Sequence, residues 1–158
     1  MNEVLRTELI RRMETDQGVR KSLPIDRERM ASIDDENATW IREVIEISGW
    51  PGKSLVGEDG ARAAFLLVQH APQDLQEHCL PLLEKAVGDG EAAKRHWAYL
   101  FDRVLMRRGQ PQVYGTQFIT RDGETVAYAI SDPDSVDVRR AELGLEPMTE
   151  YTKRMTRQ

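Results

Sequence analysis

Two polar pairs sit where apolar helices would end or turn: Gln69-His70, closing the run "ARAAFLLVQHA", and Asp102-Arg103, inside "AYLFDRVLMRR". At helical spacing His70 continues the line of Ala63, Leu66 and Leu67, and Gln69 follows Phe65 and Leu66. A shielded imidazole needs partners for both ring nitrogens, or its desolvation costs about 1–3 kcal/mol. Three chemistries satisfy that need. His70 is a histidine closed within a structural network, an acid–base or ligand-binding group, or, as the weakest of the three, a metal ligand. Asp102 lies beside the apolar arc of its helix, where a carboxylate holds a neighbouring Arg or His in one orientation and raises a histidine's pKa. Its structural alternative is a helix-to-loop ion pair. Arg103 projects to another side of the same helix, so the two adjacent residues are not simply each other's partner.

The stretch "RRGQPQVYGTQF" follows, from Arg107 to Phe118, between two apolar runs. Gly109 and Pro111 account for the chain leaving a helix, but turn chemistry does not call for Gln112, Tyr114, Thr116 or Gln117. These side chains either bind a substrate or tie the next element down. His78 and His96 read as surface or boundary residues, and Cys79 as a small buried hydrophobe, since its neighbour His78 diverges from it on a helix. The chain has no HExxH, no cysteine pair and no regularly spaced acidic loop, so no metal or other cofactor is expected. It also lacks a phosphate-binding glycine loop and a GxSxG nucleophile elbow.

The elements that must position these residues read as mainly α. Val4, Leu5, Leu9, Ile10 and Met13 predict a helix over about 2–20, and Pro24 breaks it. Asp35 or Asn37 caps a helix over about 37–48, which Gly49 and Pro51 stop. Further helices are expected over about 60–71, 73–87, with a break or kink at Pro81, and 91–107. Asp122-Gly123 marks a tight hairpin within about 116–130, and "DPDS" leads into a helix over about 135–143 before a tail that packs back. The expected architecture is a single-domain helical bundle over 1–158 with one small β-hairpin near the C-terminus.

Composition bounds the function. Hydrophobic residues at 40% and charged residues at 31% describe a globular chain, and a net charge of −5 gives no reason to bind nucleic acid or an anionic membrane. No apolar run approaches the roughly 20 residues of a bilayer span, and the charged start lacks a signal peptide's apolar segment. With the lone Cys79, this makes a cytoplasmic protein the expectation. The sequence leaves oligomeric state open.

Together, "DENATWIREVIEISGWPGKSLVGEDGARAAFLLVQHA" and "AYLFDRVLMRRGQPQVYGTQF" resemble a bacterial family of domains of unknown function, the one numbered 6624. The resemblance covers most of the chain. It includes Asp16-Gln17, Arg20, Asn37, Gly49-Trp50-Pro51, Gly57, Gln69-His70, Asp102-Arg103 and Gln112-x-Tyr114-Gly115-Thr116-Gln117. It implies no reaction, but a motif set so rich in polar side chains implies a polar pocket. The expectation is therefore a small cofactor-independent enzyme acting on a polar small molecule or peptide by isomerisation, cyclisation or hydrolysis. His70 and Asp102 are its catalytic candidates; Gln69, Arg103, Gln112, Tyr114, Thr116 and Gln117 are its substrate-binding candidates. The alternatives are a non-catalytic module that binds a small molecule or a protein with the same pocket, and a purely structural role for the motif.

Overall fold

A computed structural model describes residues 1–157. The chain is mainly helical, with a two-stranded antiparallel hairpin near its C-terminus, and it forms two compact units, Met1–Ala93 and the remainder from Lys94 onward. Among the described residues no helix is long and apolar enough to cross a membrane.

The first unit holds α1 (Glu3–Lys21), α2 (Arg27–Ser48), α3 (Lys53–His70) and α4 (Gln73–Gly88). Asn2 caps α1 through its side chain, which accepts from Leu5 N at 3.1 Å, and α1 buries Leu9, Asp16 and Val19. A buried aspartate on an otherwise apolar face is the first sign of a built polar site. The chain turns at Ser22 to Asp26, where the Leu23–Pro24 peptide is cis. The Asp26 side chain then accepts from Arg29 N at 2.9 Å and starts α2 ten residues before the expected start, which was placed at Asn37. The sequence "RERMASIDDE" shows no clean apolar stripe, so the cap at Asp26 is the signal that sets this start.

Helix α3 likewise begins earlier than expected, at Lys53. Its backbone breaks at Gly57, with φ 74° and ψ 170°, and then runs on through the region read as a loop. A Cβ at Gly57 would sit 3.0 Å from Asp59 Oδ1 and 3.3 Å from Arg6 Nε, so both conformation and space call for glycine. Beyond the break, Ala61, Ala63, Ala64, Phe65, Leu67 and Val68 are all buried, as a run apolar on every side requires. Helix α4 passes through Pro81 without ending, and buries Leu75, Cys79, Leu83 and Ala86.

The second unit opens with α5 (Lys94–Arg107), which starts a few residues later than expected and buries Ala98, Leu100, Asp102 and Val104. Strands β1 (Phe118–Arg121) and β2 (Glu124–Ala127) pair in the register Phe118 to Ala127 and Arg121 to Glu124. Their turn is Asp122-Gly123, both at positive φ, as the dipeptide predicts for a two-residue hairpin. A 3-10 turn, Pro133–Ser135, leads into α6 (Val136–Glu142). The tail then forms α7 (Met148–Thr156), for which the expectation gave no helix. Its only buried side chain is Tyr151, too little for a periodic signal.

Candidate functional site

In the first unit, three helices bring a titratable cluster together. Asp16 on α1 is fully buried, and both its oxygens face Nδ1 of His70, the last residue of α3, at 3.1 and 3.0 Å. Arg20, one turn further along α1, donates from Nε to Asp16 Oδ1 at 3.0 Å, and Gln17 donates from Nε2 to Oδ2 at 2.8 Å. The Nη2 group of Arg20 pairs with Asp34 on α2. The third nitrogen of that guanidinium, Nη1, lies 3.2 Å from a thioether, Met30 Sδ. The i, i+4 spacing of Arg12, Asp16 and Arg20 lines them on one face of α1. From that face Arg12 Nη1 donates to Asn37 Oδ1 at 3.1 Å, and its guanidinium lies 4.5 Å over the Trp40 ring.

The two carboxyls are driven apart. Burial pushes the Asp16 pKa up, but hydrogen bonds and charge from His70, then Arg20 and Gln17, outweigh burial and hold the carboxyl well below the usual carboxylate range. Burial dominates at Asp34, which is raised despite Arg20. Asp16 therefore stays an ionised acceptor facing His70 Nδ1.

His70 has a carboxylate on Nδ1, and that carboxylate is Asp16. From the sequence, Asp102 is the expected carboxylate for this part, and Asp16 stands out only within the family resemblance. A side chain 54 positions earlier in the chain gives no spacing signal that points to His70. Gln69, the neighbour of His70, is buried; its backbone carbonyl accepts from Gln76 Nε2 at 2.9 Å, while its own Oε1 has no hydrogen-bond partner among the described residues. A groove of about 400 Å³ lined by Thr15, Gly18, Val19, Ser22, Asp26 and Arg29 includes no member of the cluster.

In the second unit, Asp102 is fully buried and receives four donors from the stretch that follows its helix. These are Val113 N at 2.8 Å, Tyr114 N at 3.0 Å, Thr116 N at 3.0 Å and Thr116 Oγ1 at 2.9 Å. Burial pushes its pKa up, against the donors from Thr116, Tyr114 and Val113. Gln112 is equally buried. Its Nε2 donates to the carbonyls of Gln117 and Tyr128 at 3.0 and 2.9 Å, and its Oε1 accepts from Gln117 N at 2.8 Å. Gln117 Nε2 donates to Tyr99 O at 3.2 Å and to Thr116 Oγ1 at 2.9 Å. The polar side chains of Asp102, Gln112, Thr116 and Gln117 thus shape the loop and anchor the hairpin. The ring of half-buried Tyr114 meets Trp97 and Phe101 edge-on at 5.9 and 6.3 Å, and Arg103 is half-buried on α5.

His78 is exposed, and Cys79 is buried with its thiol pushed up to about 12 by burial, which leaves it no nucleophilic part at neutral pH. No curated protein and no solved structure matches the chain. A family model does, over residues 3–157: the chain belongs to the family described as a family of unknown function, DUF6624.

Proposed function

We propose that the protein is a small enzyme that moves protons on a polar small molecule or peptide, with His70 as its acid–base group and Asp16 as the carboxylate that holds it. The observation that carries this reading is the pair of contacts, 3.0 and 3.1 Å, between His70 Nδ1 and a fully buried carboxylate. In the neutral imidazole that bond keeps the proton on Nδ1 and leaves the Nε2 lone pair as the base. In the imidazolium, Nε2–H is the acid and Asp16 balances its charge. Arg20 and Gln17 each donate to one oxygen of Asp16, which holds the carboxylate in place against His70.

Isomerisation, cyclisation and hydrolysis all suit a single oriented imidazole, and the reading extends to a cytoplasmic location for this acidic chain with one buried thiol. The test is a turnover screen of polar metabolites and short peptides with the wild-type protein, His70→Asn and Asp16→Asn. Loss of turnover in His70→Asn, and a fall of about 10²–10⁴-fold in kcat with KM little changed in Asp16→Asn, are expected. Turnover that survives His70→Asn would falsify the reading.

A further inference from the structure

The same cluster carries a second chemistry. We propose that Asp16, Asp34 and His70 form a binding site for a divalent transition-metal cation. One ligand atom from each residue lies within 4.8 Å of the others, and no other such three-residue group occurs among the described residues. The three come from three separate helices, so the convergence belongs to the fold rather than to a run of acidic residues. The edge between His70 Nδ1 and the Asp16 oxygens, 3.0 to 3.1 Å, is close to the separation of two adjacent ligands on a metal with bonds of about 2.0–2.2 Å. One imidazole nitrogen with two carboxylates suits Mn²⁺, Co²⁺ or Zn²⁺.

Charge points the same way. Two carboxylates face a single guanidinium in a place largely shielded from water. Arg20 now sits where the cation would. Its side chain is 24% exposed and its Nη1 contacts the Met30 thioether, which leaves it able to swing into water as the cation enters.

Asn37, one turn from Asp34, is a buried polar neighbour of the cluster on α2. It is buried, at 5% exposure, and lies three residues after Asp34 on the same side of α2. Arg12 fixes its Oδ1 as the acceptor, so the buried Nδ2, without a partner among the described residues, is a donor in need of an oxygen. This inference goes beyond the acid–base reading and does not depend on it: a cation on Nδ1 displaces the proton that Asp16 holds there, so the two occupants exclude each other.

The experiment uses the full chain, stripped with a chelator and titrated with Mn²⁺, Co²⁺ or Zn²⁺ at neutral pH. Thermal unfolding is followed for all three ions and visible absorption for Co²⁺. At a free-ion concentration 100-fold above Kd, the melting temperature rises by roughly 5–10 °C, and Co²⁺ gains ligand-field bands in the visible. Asp34→Asn and His70→Gln each weaken binding at least tenfold. Arg20→Gln, which removes the competitor, tightens it, and Asp59→Asn, at an exposed carboxyl paired with Arg6, leaves it unchanged. No shift with any of the three ions at millimolar concentration, or the same shift in Asp34→Asn and His70→Gln as in the wild type, overturns the proposal. Because no substrate is present, that outcome leaves the turnover test of His70 standing.

Discussion

Asp16 and Asp102 are both fully buried carboxylates, and they are stabilised by opposite means. Asp16 leans on charged or ionisable partners, Arg20 and His70, whereas Asp102 leans on neutral N–H and O–H donors. Their pH signatures differ accordingly. The folded-state pKa of Asp16 lies below its unfolded value, so it contributes stability that is fully present above about pH 4 and is lost as pH falls further. Urea unfolding between neutral and strongly acidic pH therefore shows a fall in stability that Asp16→Asn flattens; an unchanged slope in the variant contradicts this. Asp102→Asn keeps the size of the side chain but turns an –NH₂ toward donors that need an acceptor. A loss of about 2–4 kcal/mol is expected in the same measurement, and a loss below about 0.5 kcal/mol contradicts the assignment of this side chain as the organiser of the loop. The sequence showed that His70 and Asp102 were unusual. The loop that faces Asp102 follows it by only 11 to 14 residues, a relation that can be read off a chain, whereas the pairing of His70 with Asp16 across 54 residues cannot.

At the level of elements, the legible parts were those whose signal is local. Asp122-Gly123 fixed the hairpin, and the all-round apolar run of α3 identified a buried helix. The first turns of α2 and all of α7 escaped, since the first is held by a cap without an apolar stripe and the second by a few anchors. Those anchors are specific. Tyr151 OH donates to Thr116 O at 2.9 Å, and its ring lies 4.8 and 4.9 Å from the guanidinium carbons of Arg140 and Arg154. Buried Arg140 donates to the carbonyls of Tyr114 and Glu146, both at 2.6 Å. Met148 Sδ packs against Gly115, where φ is +64° and a Cβ would sit 2.5 Å from that sulfur. Gly115→Ala thus meets both backbone strain and a collision, and should cost about 2–4 kcal/mol in thermal or urea unfolding. Gly109→Ala, also at positive φ but with open space around its Cβ position, should cost only the smaller backbone part, about 1 kcal/mol. Equal losses at the two positions would show that packing against α7 adds nothing.

For the molecule as a whole, the mainly helical class with a late hairpin was readable because it rests on periodicity and turn chemistry summed over many residues. The division into two compact units was not, since no linker composition separates Ala93 from Lys94. The whole chain also carries its own reporter. Cys79 is fully buried on α4, and its thiol is pushed up to about 12, so a thiol reagent at neutral pH modifies it only after the first unit opens. Labelling should be slow in native buffer and accelerate with urea in step with loss of helical signal. Rapid labelling of the native protein is the result that contradicts the packing of α4.

The four donors on Asp102 also bear on the order of assembly. They come from residues 11 to 14 positions further along the chain, while the Tyr151 hydroxyl reaches back 35 positions to Thr116. Closing the short loop needs less chain entropy than closing the long one. The loop around Asp102 is then expected to close on α5 before α7 docks. Asp102→Asn should mainly slow refolding, and Tyr151→Phe should mainly speed unfolding. If refolding of Asp102→Asn is slowed and unfolding is not, a carboxylate that looks static in the native fold is also an early step in its assembly.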